Sequence, residues 1–176
     1  MKTKILLTSF TTWLPHQQSN SSDDILAKIQ LLNDSDYNNL FFLRKLPVDV
    51  ELASKIVMDR IKIVQPDIVI CCGMAEKRQR LEIESNAVYN NKCLFTSIDL
   101  LALTKQLVNI NISHNAGKFV CEGLYYKILQ YIQSLKKQTQ CVFVHIPILN
   151  RDNLNPILNN FQLMFHWFEN EMLFFK

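Results

Sequence analysis

Three side chains in this sequence are suited to thiol-based acyl transfer, and each lies at the end of an apolar run. The first is Cys121, in the segment Ser113-His114-Asn115-Ala116-Gly117-Lys118-Phe119-Val120-Cys121-Glu122-Gly123. There a strand pattern ends, a turn with glycine follows, and a helix pattern begins near the cysteine. A thiol in a first helical turn faces unpaired backbone N–H groups and the positive end of the helix dipole. Both favour the thiolate, which is the nucleophile, and so predict a thiol of low pKa. The same N–H groups could stabilise an oxyanion on an attacked carbonyl.

The second is His145, inside the run Val142-Phe143-Val144-His145-Ile146-Pro147. An imidazole at the end of a core strand costs desolvation unless it has a partner. Opposite Cys121 it could take the thiol proton and return it to a leaving amine. The third is a carboxylate in Leu81-Glu82-Ile83-Glu84. Glu82 and Glu84 share a face of a strictly alternating strand, so either could orient an imidazole. Each residue alone also has an ordinary explanation: a buried structural cysteine, a satisfied core histidine, two solvated carboxylates on a half-exposed strand.

The elements that must position these groups alternate along the chain. Apolar runs at 5–10, 41–48 and 68–73 read as strands, with short strands at 81–84 and 109–113 and a last core strand at 142–147. Helical spacing follows the Ser19-Asn20-Ser21-Ser22-Asp23-Asp24 start, through Ile25, Leu26, Ile29 and Leu32, with Asn33-Asp34-Ser35-Asp36 closing the helix. Further helices are predicted over 51–64, 97–107, 119–135 and 155–175, the last rich in Phe and Leu and expected to dock on the sheet. Strands alternating with helices predict a three-layer α/β/α sandwich with a mostly parallel central sheet, as one domain over 1–176. Sites in such sheets form at the carboxyl ends of strands.

Bulk properties narrow the classes. A net charge of +3, from 19 basic and 16 acidic residues, is far from the dense basic face of a nucleic-acid binder. No apolar run of membrane-spanning length occurs, and the start Met1-Lys2-Thr3-Lys4-Ile5-Leu6-Leu7-Thr8 lacks the apolar stretch of an export signal. The cysteines 71, 72, 93, 121 and 141 are odd in number and have no metal-ligand or CxxC spacing. Free thiols point to a reducing, cytoplasmic setting. No phosphate-binding or dinucleotide glycine motif is present, and His16, His114 and His166 lack mutual metal-ligand spacing. No metal or cofactor is expected.

The chain resembles the pyroglutamyl peptidase I family. Ile5-Leu6-Leu7-Thr8-Ser9-Phe10, Asn20-Ser21-Ser22, Leu46-Pro47-Val48 and Gln65-Pro66-Asp67 through Gly73-Met74-Ala75 are similar to its successive strand and turn signatures. Ile83-Glu84-Ser85-Asn86-Ala87-Val88, Asn115-Ala116-Gly117-Lys118-Phe119-Val120-Cys121 and Val144-His145-Ile146-Pro147 resemble its three active-site blocks. The resemblance implies a cysteine peptidase that removes N-terminal pyroglutamate from small peptides, with a Cys121–His145–Glu84 triad and no metal or cofactor. It selects Glu84 over Glu82. It also implies a pocket for the lactam ring lined by Phe10, Phe119 and Val120, with Trp13 in place of a second phenylalanine and Met74 at the glycine turn.

Departures from the family pattern accompany the likeness. Trp13-Leu14-Pro15 replaces a Phe-Gly-Gly turn, Lys77-Arg78 replaces Gly-Arg, Ser85 follows Glu84 where an arginine is usual, and no arginine occurs in Asn90-Asn91-Lys92-Cys93-Leu94. A long excursion with a covering hairpin is largely absent between Asn91 and Thr96. Without it the pocket would be wetter and its specificity wider. A thiol amidohydrolase of other small amides, and a catalytically silent binding relative, remain alternatives. A homo-oligomer is also left open.

Overall fold

The computed structural model describes residues 2–32, 38–135 and 137–174. The expected helix end at 33–36, Lys136 and Phe175 lie outside the described residues.

Six strands form one sheet in the order β2-β1-β3-β8-β4-β7. They are β1 (Ile5–Phe10), β2 (Leu40–Leu46), β3 (Ile68–Met74), β4 (Leu81–Glu84), β7 (Ile110–Ser113) and β8 (Gln140–Ile146). Strands β2, β1, β3 and β8 are mutually parallel. Strand β4 runs antiparallel to β8, and β7 runs parallel to β4. The helices are α1 (Ser21–Leu32), α2 (Val50–Val64), α3 (Leu100–Thr104), α4 (Val120–Gln133) and α5 (Leu154–Phe174). The architecture is the expected mostly parallel sheet between helical layers.

The period of two in each strand divides the core into two. Ile5, Leu7, Ile68, Ile70, Cys72, Val142 and Val144 face Ile25 and Leu26 of α1, Leu103 of α3, and Phe161, Phe165 and Phe168 of α5. Leu6, Val69, Cys71, Cys141 and Phe143 face Ala53 and Val57 of α2 and Leu124, Tyr125 and Ile128 of α4. Continuous apolar runs such as Ile68-Val69-Ile70-Cys71-Cys72 are what a strand covered on both faces requires.

Some expectations need correction. Strand β4 is not half-exposed: it lies between β8 and β7, and Leu81, Ile83 and Glu84 are buried. Helix α3 is shorter than 97–107, because Asp99 accepts the Ala102 N–H at 3.0 Å and so fixes the helix start. The stretch read as a truncated excursion forms a hairpin of β5 (Asn86–Tyr89) and β6 (Lys92–Phe95). Its turn is Asn90-Asn91, with φ of 48° and 60°. Two successive positive-φ residues characterise the tight turn that matches strand twist, and asparagine tolerates them. Ala87, Tyr89 and Leu94 pack this hairpin into the α2–α4 core.

Candidate active site

The glycine turn before α4 forms as the sequence suggests. Gly117 sits at φ 92°, which side-chain-bearing residues rarely adopt, and its N–H is held by Asn115 Oδ1 at 3.0 Å. Phe119 is the N-cap in extended backbone and supplies no side-chain cap. The first-turn N–H groups around Cys121 therefore lack a capping side chain. Cys121 itself is partly exposed as a residue, while its sulfur is enclosed.

Sheet register carries the histidine to the same place. Gly73 on β3 pairs with His145 on β8. A methyl group built on Gly73 would lie 2.8 Å from Cys121 Sγ and 2.8 Å from Phe143 Cζ. The thiol thus rests on the bare backbone of Gly73, one strand away from His145. The His145 ring is 4.8 Å from that of Phe143, centroid to centroid, and is almost fully buried.

Glu84 completes the cluster. Its Oε1 lies 2.7 Å from His145 Nδ1. Glu82 is the residue directly across the ladder from His145, and Glu84 pairs with Phe143. Yet it is the diagonal carboxylate that meets the ring, since Glu82 turns to an ion pair with Arg78. Burial alone would raise the Glu84 pKa. Hydrogen bonding by His145, Ser113 and Arg78, and the charge of His145, more than offset it and hold the carboxyl below its usual range. Glu84 Oε2 is buried without a hydrogen-bond partner, while Oε1 meets both His145 and Arg78.

Two contributors were not assigned in the sequence. Arg78 donates from Nη1 to Glu84 Oε1 at 2.6 Å and from Nη2 to the Asn115 carbonyl at 2.9 Å. Only its place in Lys77-Arg78 hinted at this. Tyr125 follows Cys121 by four residues, hence on the same helix face, and its hydroxyl donates to the Glu84 carbonyl at 3.1 Å. That spacing was the available signal.

The thiol differs from expectation. Burial, together with the neighbouring Cys71 and the charge of Glu84, pushes the Cys121 thiol up to about 12, despite the opposing pull of its own backbone N–H and of Arg78. Enclosure outweighs the helix end, and the resting group is a neutral thiol.

The residues expected to line a pocket fall into three places. Trp13 and Phe119 pack in a tilted contact, with ring centroids 4.6 Å apart and planes at 52°, and are 46% and 58% exposed. Gln17 Oε1 accepts the N–H groups of Trp13 and Leu14, at 2.9 and 3.1 Å, and so closes the turn that lacks glycines. Val120 is half-buried beside Cys121 and packs against the α2–α4 core. Phe10 is buried within that core. Met74 points to the opposite face, where its sulfur accepts the Ser21 N–H of α1 at 3.4 Å. It is not brought to the thiol. A separate cavity of about 690 Å³ lies beside the start of α4, lined by Val88, Asn91, His114, Lys118, Phe119 and Glu122 among others. No helix among the described residues is long and apolar enough to cross a membrane, and no His/Cys/Asp/Glu group among them could hold a metal ion.

Comparison with known proteins places this geometry in context. A family model described as pyroglutamyl peptidase matches residues 94–159. A pyrrolidone-carboxylate peptidase of Brachyspira hyodysenteriae is 25% identical, covering 86% of this chain and 87% of that protein. One from Oceanobacillus iheyensis is 28% identical, covering 82% and 83%. The solved pyroglutamyl peptidase I of Bacillus amyloliquefaciens superposes with a TM-score of 0.78 at 20% identity, covering 93% of each chain. A pyrrolidone carboxyl peptidase variant of Pyrococcus furiosus gives 0.80 at 18% identity, covering 97% and 99%. These structures share the fold.

Proposed function

We propose that this chain, a short and divergent relative of the pyroglutamyl peptidases, is itself a cysteine peptidase that hydrolyses the amide bond after an N-terminal pyroglutamyl residue. The observation that carries the reading is the buried His145 Nδ1–Glu84 Oε1 contact of 2.7 Å on the rung of the sheet against which the Cys121 sulfur rests.

With Nδ1–H donated to Glu84, His145 keeps Nε2 as a base. Because the Cys121 thiol is neutral at rest, its proton passes to Nε2 as sulfur attacks the amide carbonyl. The carbonyl π electrons move to oxygen, and the uncapped first-turn N–H groups of α4 stabilise that oxyanion. Collapse of the adduct breaks the C–N bond, and the imidazolium delivers its proton to the leaving amine. Water then attacks the thioester, gives one proton to His145, and releases the carboxylic acid. That proton returns to sulfur. Ionised Glu84 stabilises the transient imidazolium throughout. The adjacent, partly exposed rings of Trp13 and Phe119 offer aromatic surface to a flat, neutral lactam.

The test is release of a fluorogenic amine from a pyroglutamyl amide by the wild type and by Cys121→Ser. Thiol-dependent turnover is expected, falling by at least about 10³-fold in the variant. Turnover of other small amides but not the pyroglutamyl one would replace the substrate and keep the chemistry. Failure on every amide would end the peptidase reading.

A further inference from the structure

Arg78 joins the candidate active-site loops to one another. It follows β3 in the turn after Met74, and its guanidinium spans three partners from two other parts of the chain, β4 and the turn before α4. Nη1 meets Glu84 Oε1 at 2.6 Å and also Glu82 Oε2; Nη2 meets the Asn115 carbonyl at 2.9 Å. Asn115 belongs to the turn that delivers Cys121 to the first turn of α4. The Arg78 side chain is only about one-fifth exposed and that of Glu84 is fully buried, so solvent screens their contact weakly.

The arrangement sets up a competition. Glu84 Oε1 accepts from both His145 and Arg78, and Arg78 itself is shared with Glu82. A guanidinium presents several donors in one rigid plane and stays charged at any working pH. It can therefore hold the carboxylate and the carbonyl at fixed positions at once, which a lysine ammonium cannot do with the same geometry.

We infer that Arg78 is a positioning residue, which fixes the Glu84 carboxylate against His145 and ties it to the Asn115 turn that presents Cys121. The inference rests on the reading of Cys121, His145 and Glu84 as the reacting set. Glu84 is faced by His145 of β8, Ser113 of β7, the Tyr125 hydroxyl and Cys121 thiol of α4, Arg78, and through Arg78 by Glu82 of its own strand. Arg78 is the permanent positive charge in that set.

The experiment compares the full chain with Arg78→Gln, Arg78→Lys, Glu84→Gln and the double variant Arg78→Gln/Glu84→Gln. The measurements are kcat, KM and the pH profile on the pyroglutamyl amide, with melting as the control for folding. Arg78→Gln should lower kcat about 10–100-fold, the loss expected for a charged hydrogen bond. KM should stay within about two-fold, the acid limb should move to higher pH, and Arg78→Lys should recover part of the loss. On the Glu84→Gln background the same change should cost little, because partners acting as a unit are non-additive. Full additivity, or a wild-type acid limb in Arg78→Gln, would overturn the inference. If Arg78→Gln does not fold, Glu82→Gln carries the test: Arg78 then serves Glu84 alone and the acid limb moves to lower pH, an unmoved limb counting against it. If the wild type turns over no amide, carboxyl-carbon NMR titration of Glu84 still decides. A higher Glu84 pKa in Arg78→Gln keeps the clamp, and an unmoved one removes it whatever the substrate.

Discussion

The two faces of the central sheet are built from the same strands and end in different chemistry. The face toward α1, α3 and α5 is apolar where α5 covers it, with Phe161, Met164, Phe165 and Phe168 on Ile5, Leu7, Ile70 and Val144. It turns polar at α1, where Asp23 accepts from Ser9 at 2.8 Å and pairs with Arg44. The face toward α2 and α4 is equally apolar through Val69, Cys71, Cys141 and Phe143. At its upper rungs it then changes to Gly73, His145 and Glu84, under Cys121 and Tyr125 of α4. Alternation does the sorting, since residues two apart on a strand share a face. The sandwich thus has one side whose buried polar pairing joins Asp23 to Ser9 and Arg44, and one that carries the candidate cluster of Cys121, His145 and Glu84. Polar burial on the second side is tolerated because almost every group has a partner: Glu84 has His145 and Arg78, and the Tyr125 hydroxyl has the Glu84 carbonyl.

Gly73→Ala should break the comparison most sharply. A methyl group there would meet the Cys121 sulfur and the Phe143 ring, both at 2.8 Å. Phe143 is fully buried and has little room to shift, so the strain reaches the sulfur and the helix turn carrying it as well. Displacing a nucleophile by about 1 Å costs on the order of 100-fold. We expect kcat to fall by at least about that factor on the pyroglutamyl amide. The thermal midpoint should fall by only a few degrees. A variant with wild-type kcat would show that the thiol does not act from its place over β3.

The other face should give the opposite pattern. Phe161 is fully buried among Phe165, Phe168 and the β1, β3 and β8 side chains, and its ring lies 6.1 Å from that of Phe165. Phe161→Ala should destabilise the protein by about 3–5 kcal/mol through lost burial and a residual cavity. Below its melting transition it should keep kcat within about two-fold. Urea unfolding paired with initial rates checks both halves. A large fall in kcat in the folded variant would mean that the two faces are coupled through the sheet.

Most of the fold was legible because periodicity reports burial directly. The run 5–10 matches β1 at both ends, and the helices at 50–64 and 120–133 differ from expectation by a residue or two. Direction was not legible. Leu81-Glu82-Ile83-Glu84 alternates as an edge strand would, but lies inside the sheet and antiparallel to β8. Nothing in four residues encodes which neighbours they take. The Asn90-Asn91 hairpin was a local signal passed over in favour of a missing loop. For the candidate site, residue types and order singled out Cys121, His145 and the Glu82/Glu84 pair. The diagonal reach of Glu84, the Arg78 bridge and the opposite facing of Met74 depend on register, which exists only once strands have paired. The thiol shows where a local rule failed. A helix N-terminus lowers a pKa, but the enclosure that raises this one is tertiary.

The smallest effect expected from this comparison is the pH dependence that Glu84 contributes on the α4 face. The Glu84 pKa is lowered in the folded chain: burial opposes ionisation, and hydrogen bonds from His145, Ser113 and Arg78 outweigh it. A carboxyl of depressed pKa binds its proton more readily when unfolded. Its contribution to stability is therefore fully present above the ordinary value of 4.5, and is lost as pH falls through the lower folded value. Glu84→Gln removes that titration while nearly keeping the shape. The stability advantage of the wild type over Glu84→Gln, read by urea unfolding, should be constant at neutral pH and shrink steadily below about pH 4.5. Phe161→Ala should run parallel to the wild type over the same range, since no titrating group changes on its side. If the Glu84→Gln and wild-type curves also run parallel, the carboxylate is not held ionised by its neighbours.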